Sequence, residues 1–369
     1  MSARDPTLLV ARLLAAPAAG TPARAWLEAR LAAPVDWPAV LTRASAGLVT
    51  PALAPILDAL GVTASLPGDA REFLQTVVLL NRERNRRIMA ELDELAAALA
   101  RAGIRAVALK GAGLLADGVF RSPACRMIGD IDLLVPAGRV AEALLTSHAL
   151  GWRAGTTWTD PKATLIHPET AIRPGAAAAL EIHVEFLNHT WRRLLPAAAI
   201  LADALPLPGR GDGLRVPSVA DRLVIVVAHA QLRDFGHYNG ILPLRAVLDW
   251  TRLAARATAA DWARVEARFE EAGLAAVLDG FVRRLERIAG MPRPPALGAS
   301  LGGALAEWRQ DLAERHPGAR RAAVALGSAR LALSFVRADR SMRAHVRKIL
   351  FDPAERRRRL ALKTRLPGN

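Results

Sequence analysis

Ala108-Leu109-Lys110-Gly111-Ala112-Gly113, followed by Arg126-Met127-Ile128-Gly129-Asp130-Ile131-Asp132-Leu133-Leu134-Val135, is the stretch on which the reading of the fold turns. The second part is an apolar run interrupted by two aspartates two positions apart. In a strand, side chains alternate between faces, so Asp130 and Asp132 share one face while Ile131 and Leu133 pack on the other. Two like charges side by side are costly unless a positive charge lies between them. A divalent metal meets that need, and Mg²⁺ prefers a carboxylate pair completed by phosphate oxygens. The pattern therefore points to a metal–nucleotide site.

Working outward, 105–110 reads as a short buried strand, 111–118 as a helix and 128–135 as a second strand broken by Pro136 and Gly138. An amphipathic helix follows over 139–150, and 152–158, 163–167 and 179–187 are further strand candidates. This order predicts an α+β fold: a small mixed sheet at 101–204 with helical segments on either side. On the N-terminal side, 1–100 reads as short helices over 6–16, 22–31, 37–46 and 51–60, punctuated by Pro and Gly. A longer helix starts after Pro67-Gly68 and ends at Gly103, with Phe73, Val77, Leu80, Ile88, Leu92, Leu95 and Leu99 as its apolar stripe. Its basic patch Arg82, Arg84, Arg86 and Arg87 reads as a solvated face. Residues 205–217, rich in Pro and Gly, read as a connector. A helical domain follows over 217–336, opened by Ser218 as a cap, and a basic tail occupies 337–369.

Apolar residues make up 52% of the 369, enough for a large core and two or three domains. The one cysteine, Cys125, excludes an internal disulfide framework and a cysteine-based zinc site. No uncharged run is long enough to span a bilayer, and no signal-like segment is visible, so a soluble, cytoplasmic protein is expected. The net charge is +15, and residues 337–369 hold +8 of it, from eleven Lys/Arg against three acids. Such a tail reads first as a solvated, partly helical segment; it also suits nucleic acid, an anionic surface or an acidic partner, though no aromatic residue interleaves with Arg356–Arg359 as a stacking platform would require.

Four elements carry candidate chemistry. Lys110-Gly111 sits at a strand-to-helix junction, where a glycine allows backbone N–H groups near a phosphate and the lysine adds a point charge. Asp130 and Asp132 are the candidate metal ligands. Glu181-Ile182-His183-Val184-Glu185 alternates, so Glu181 and His183 share a face and Glu181 is a candidate third carboxylate. Arg126 either contacts a phosphate oxygen or neutralises the acids. His183 and His229 are candidates for touching substrate, each with a structural hydrogen bond as the alternative. Arg245 and Asp249 are spaced as an i, i+4 pair that would stiffen a helix.

Taken in order, Leu109-Lys110-Gly111, Arg126, Asp130-Ile131-Asp132-Leu133-Leu134-Val135 and Glu181-Ile182-His183 resemble the uncharacterised bacterial nucleotidyltransferase family of the DNA polymerase beta superfamily. The resemblance covers mainly residues 100–190 and extends to His229, Arg245 and Asp249. The chain departs from the superfamily pattern at Ala112, which replaces the second small residue of a Gly-Gly or Gly-Ser pair, and at Phe120, where Tyr is frequent. The resemblance implies transfer of an NMP group from an NTP to a small-molecule, peptide or protein acceptor, with pyrophosphate leaving. It implies two Mg²⁺ held by Asp130, Asp132 and Glu181, and a triphosphate held by Lys110, Gly111 and Arg126. Two alternatives stand beside it: a nucleic-acid-directed transferase using the basic tail, and a non-catalytic nucleotide-binding scaffold.

Overall fold

The computed structural model describes residues 5–155, 170–207, 210 and 213–338. Five helices lead: α1 (Pro6–Ala15), α2 (Thr21–Ala32), α3 (Trp37–Ala46), α4 (Thr50–Ala59) and the long α5 (Gly68–Arg101). Strand β1 (Ala106–Ala108) runs into α6 (Lys110–Ala116), then come β2 (Asp130–Leu134), α7 (Val140–Ala149), β3 (Arg153–Ala154), β4 (Thr170–Ile172) and β5 (Ala179–His183). Helix α8 (Ala197–Asp203) precedes β6 (Leu205–Pro206) and β7 (Leu214–Val216). The remainder is helical: α9 (Val219–Ala228), α10 (Gly236–Asn239), α11 (Leu244–Ala254), α12 (Ala259–Glu271), α13 (Ala275–Arg284), α14 (Leu301–Arg315) and α15 (Pro317–Ala338). The α+β class expected from the sequence is the class the chain adopts. Among the described residues no helix is long and apolar enough to cross a membrane.

The strands form one mixed sheet in the order β3-β4-β5-β2-β1-β7-β6. The central pair β2 and β5 is parallel, as is β1 with β7, and the other neighbours are antiparallel. Alternation divides the sheet's two faces. Ile131, Leu133, Leu180 and Ile182 pack with Ile88, Leu92, Leu95 and Leu99 of α5 and Ala143 of α7. Val107 and Leu134 join a larger core made by α1, α3, α4, α9, α11, α12 and α13. Helices from both ends of the sequence therefore share one apolar interior against one face of the sheet. Asp130, Asp132, Glu181 and His183 lie on that face, toward the helical layer.

Three expectations are corrected. The connector at 205–217 supplies β6 and β7, because Leu214 and Val216 are buried and Leu214 pairs with Ala106 of β1. The apolar stripe of α5 is buried as expected at Ile88, Leu92, Leu95 and Leu99, but not in the first half of the helix, where Phe73 and Leu80 are exposed and Ala70, Leu74, Asn81 and Asn85 are buried instead. The arginine patch is only partly solvated. Arg86 makes an exposed pair with Glu83, but Arg84 donates to the carbonyls of Ile128 and Ala177, and Arg87 to that of Gly175. These bonds tie α5 to the loops that enter β2 and β5. The strand candidate at 163–167, part of that at 152–158, and the basic tail from 339 onward lie outside the described residues. The expected cap is present, with Ser218 Oγ accepting from the Asp221 N–H at 3.1 Å.

His237 of α10 gives a testable pH dependence. Burial, with the charges of Arg309 on α14 and Arg330 on α15, pushes its imidazole down to about 3 from 6.5. The unfolded chain takes up that proton first as pH falls. The contribution is therefore complete above about 6.5 and is lost progressively down to about 3, with a slope approaching ~1.4 kcal/mol per pH unit. His237→Gln is expected to flatten the dependence of the urea midpoint on pH between 6 and 4. An unchanged slope would show that the imidazole is not desolvated.

Candidate active site

The register of β2 on β5 sets Asp132 directly opposite Glu181, with Asp130 opposite Ala179 and Leu134 opposite His183. Parallel pairing puts side chains of matched residues on the same face, so the carboxylates of two distant segments meet. One ligand atom each from Asp132, Glu181 and His183 lies within 4.8 Å of the others. Asp132 is fully buried. Its Oδ1 is 2.6 Å from Lys110 Nζ and 2.7 Å from His183 Nε2, while its Oδ2 is buried with no hydrogen-bond partner among the described residues. Glu181 Oε2 is 3.4 Å from His183 Nε2, and its Oε1 accepts from Thr170 Oγ1 at 3.1 Å.

The electrostatics follow from this packing. Burial alone would raise the Asp132 carboxyl, but Lys110 and His183 outweigh it and hold the group well below the ordinary carboxylate range. Asp130 shifts the other way. The Asp132 charge and then burial push it up, Glu181 adds to the effect, and Lys110 and His229 oppose it. Two neighbouring aspartates thus differ in their tolerance of negative charge, and Asp130 is the one under strain.

Lys110 reaches Asp132 because β1 runs antiparallel to β2 and the Leu109 N–H donates to Asp132 O at 2.9 Å, which sets the next residue beside the carboxylate. Lys110 takes a left-handed φ of +45°, a conformation that costs a non-glycine residue ~1–3 kcal/mol and occurs where the surroundings enforce it. The two glycines that follow answer to packing. A Cβ on Gly111 would lie 2.1 Å from Ile128 Cγ2, and one on Gly113 would lie 2.2 Å from the Ala108 carbonyl oxygen. The first obstacle is a side chain that can rotate; the second is backbone. Gly113→Ala is accordingly expected to lower stability by ~3 kcal/mol and Gly111→Ala by ~1 kcal/mol, read as shifts of the urea midpoint. Equal costs would contradict the difference in what each Cβ meets.

The opposite wall is helical. Helix α9 is buried along its length and ends in a π-turn, His229–Arg233, an irregularity frequent at functional sites. It and the first turn of α11 enclose, with Lys110, Gly111 and Asp130, a cavity of about 230 Å³. His229 lines this cavity. Its Nδ1 is 3.0 Å from Asp234 Oδ2, and burial lowers its pKa although Asp234 opposes the shift. Because a carboxylate only accepts, Nδ1 carries the proton and Nε2 is the ring's accepting nitrogen.

Arg126 also lines the cavity, but its fork is engaged. Nε and Nη2 each donate to Asp249 at 2.8 Å, and Nη1 donates to the Met127 carbonyl. The acid it neutralises is therefore Asp249 of α11. The expected helix-internal pair of Arg245 with Asp249 is replaced by this link between the sheet and the helical wall. Two side chains that sequence reasoning missed hold the Arg126 segment. Asn81 Nδ2 donates to the carbonyls of Ala124 (2.6 Å) and Arg126 (3.3 Å), and Asn85 Nδ2 to those of Pro123 (2.5 Å) and Arg126 (2.7 Å). Their signal was available: two carboxamides four residues apart on a helix whose buried side is, Glu91 apart, otherwise apolar.

The residues singled out in the sequence thus fall into one region. Asp132, Glu181 and His183 are brought together on the sheet with Lys110 of α6 against them. Asp130 shares their face of the sheet but stands outside that cluster, Arg126 borders them, and His229 lines the same cavity from the π-turn after α9. A model of uncharacterised nucleotidyltransferases matches residues 33–290, more than half of the chain and every residue of this region. No curated protein and no solved structure matches the chain. The carboxylates at the centre of the matched span suit transfer to or from phosphorus, and the chain belongs to the uncharacterised nucleotidyltransferase family, an enzyme that transfers nucleotidyl groups.

Proposed function

We propose that the chain moves an NMP group from an NTP to a small-molecule, peptide or protein acceptor, with Mg²⁺ as cofactor and pyrophosphate as leaving group. The observation that carries this reading is the β2–β5 register, which brings Glu181 beside Asp132 on the face that also bears Asp130. The donor set fits divalent cations. Three carboxylates share one face, and Asp132 Oδ2 is a buried oxygen with no hydrogen-bond partner among the described residues. Two Mg²⁺ held by Asp130, Asp132 and Glu181 would supply charge neutralisation on the phosphates and at the attacking and leaving oxygens.

The chain's own side chains orient the substrates. Lys110, fixed against Asp132 by its strained backbone, contributes positive charge on the triphosphate side, and Gly111 keeps the strand-to-helix junction close-packed there. Arg126, locked by Asp249, holds its segment against the cavity. His183 holds Asp132 through the Nε2–Oδ1 hydrogen bond, and His229 offers Nε2 from the helical wall. In the reaction an acceptor oxygen bonds to the α-phosphorus, and the bond from that phosphorus to the pyrophosphate oxygen breaks.

The experiment is incubation of the full chain with each labelled NTP, Mg²⁺ and a cell extract, following pyrophosphate and labelled product. Label transfer that EDTA abolishes is the expected result. Absence of both pyrophosphate and labelled product with all four NTPs would overturn the proposal.

A further inference from the structure

Five cationic side chains line the cavity, and three are committed elsewhere. Lys110 is 2.6 Å from Asp132, Arg126 is 2.8 Å from Asp249, and Arg222 is 2.5 Å from Asp117. Arg233, at the end of the π-turn, and Arg245, in the first turn of α11, make no hydrogen bond or ion pair with any described residue. Nη1 of Arg233 is moreover buried without a partner. A buried guanidinium nitrogen left unsatisfied is costly, and in a cavity that also holds a second uncommitted guanidinium an anionic ligand completes both. Asp234, the acid between the two in sequence, is hydrogen-bonded to His229, and its charge, with that of Asp249, acts on Arg245 from beyond ion-pair distance. Across the cavity the situation is reversed: Asp130 has no cationic partner within ion-pair distance, and its negative charge is disfavoured by Asp132. Among the lining residues, the carboxylate of Asp130 on the sheet and the guanidiniums of Arg233 and Arg245 on the helices are thus the charged groups without an ion-pair partner.

We infer that Arg233 and Arg245 form a subsite for the polyphosphate tail of the nucleotide, gripping its non-bridging oxygens from the helical wall. The inference rests on the nucleotidyl-transfer reading and names the chain's phosphate grip. A nucleotide with its cation has the matching polarity: metal toward the carboxylates, phosphates toward the guanidiniums. Size agrees. About 230 Å³ is less than the ~300–1,000 Å³ of a pocket that encloses a whole small molecule, so the cavity takes the tail, and the base lies outside it. Guanidinium forks match phosphate oxygens in pairs, which an ammonium cannot do. The subsite also places the charge of the π-turn and of α11 in direct contact with substrate. The helical layer then becomes half of the nucleotide site rather than a lid over it.

The test uses the full chain and inorganic pyrophosphate, titrated calorimetrically in EDTA and again with Mg²⁺, so that no turnover is needed. Arg233→Gln and Arg245→Gln are each expected to weaken pyrophosphate binding by at least about tenfold and to raise the NTP KM with little change in acceptor KM. Arg→Lys at either position keeps charge and stem, serves if the Gln variant does not fold, and is expected to recover binding only partly. Wild-type pyrophosphate affinity in folded variants, or no binding by the wild type, overturns the inference. So does an acceptor KM that rises while the NTP KM stays fixed, because the guanidiniums would then hold an anion of the acceptor. Pyrophosphate binding that depends on both arginines, in a chain that turns over no NTP, would leave the subsite standing and remove the transferase reading.

Discussion

Asp130→Asn is expected to abolish nucleotide turnover while making the metal-free chain more stable. The two effects have one cause. In the fold the Asp130 carboxylate is pushed up by the Asp132 charge and by burial, so its ionised form is disfavoured relative to the unfolded chain. For an acid with a raised folded pKa, the penalty is complete at pH above that pKa and vanishes as pH falls below the ordinary carboxylate range. At neutral pH a neutral asparagine of the same shape removes the penalty, and the melting temperature in EDTA should rise. The same substitution removes a ligand for the cation that neutralises phosphate charge. That stabilisation is worth several kcal/mol, so turnover should fall by about 10³-fold or more. Asp132→Asn should behave oppositely in stability. It leaves Lys110, with 15% of its side chain exposed, and the fully buried His183 without their shared anion, and both activity and melting temperature should fall. Melts in EDTA and pyrophosphate release, measured on both variants, separate the cases. An active Asp130→Asn enzyme would remove the carboxylates from the chemistry, and an unstable one would contradict the like-charge strain.

That contrast between adjacent aspartates was not legible in the sequence, although their positions were. Alternation in 128–135 was enough to place Asp130 and Asp132 on one face, because the period of a strand depends on backbone geometry alone. The same alternation put Glu181 and His183 on one face of a later strand. What brings the two strands together is a parallel pairing between segments about fifty residues apart, and no local pattern encodes that register. The Lys110 contact likewise depends on β1 lying antiparallel to β2. The helical spans were legible from Pro, Gly and capping residues, and so was the buried face of α5 from Ile88 onward, but the face of its first half was not. Phe73 and Leu80 satisfy a helical period equally well on the wrong face, and Asn81 and Asn85, which mark the right face, are polar and so add nothing to an apolar period. Strands β6 and β7 were hidden by their brevity: Leu214-Arg215-Val216 is too short to show a period, and it is a strand only because β1 offers it an edge. Arg126 and Asp249 are 123 residues apart, and nothing near either of them names the other.

That pair is where the largest loss of stability is expected. Asp249→Ala would strand the Arg126 guanidinium, 7% exposed, in a site built around two 2.8 Å bonds. Burial opposes the charge of Arg126, and it is the Asp249 carboxylate that raises its pKa in spite of that. Removing one partner of a buried pair costs ~3–5 kcal/mol, because the remaining charge is left uncompensated. Replacing both is far milder: Arg126→Met with Asp249→Leu fills the space without a charge and should recover most of the stability. Function should not recover with it. The pair is the link between the loop entering β2, which Asn81 and Asn85 hold by its backbone, and the first turns of α11, which carry Arg245 into the cavity. Without the fork the two walls keep their contact but lose their fixed registration. The double variant is therefore expected to melt near the wild type and to show a raised NTP KM. Urea titrations of the two single variants and the double give the coupling directly. If Asp249→Ala changed the midpoint by less than ~0.5 kcal/mol, the pair would be behaving as a solvated surface contact, and the argument that it registers the sheet against the helical wall would fail.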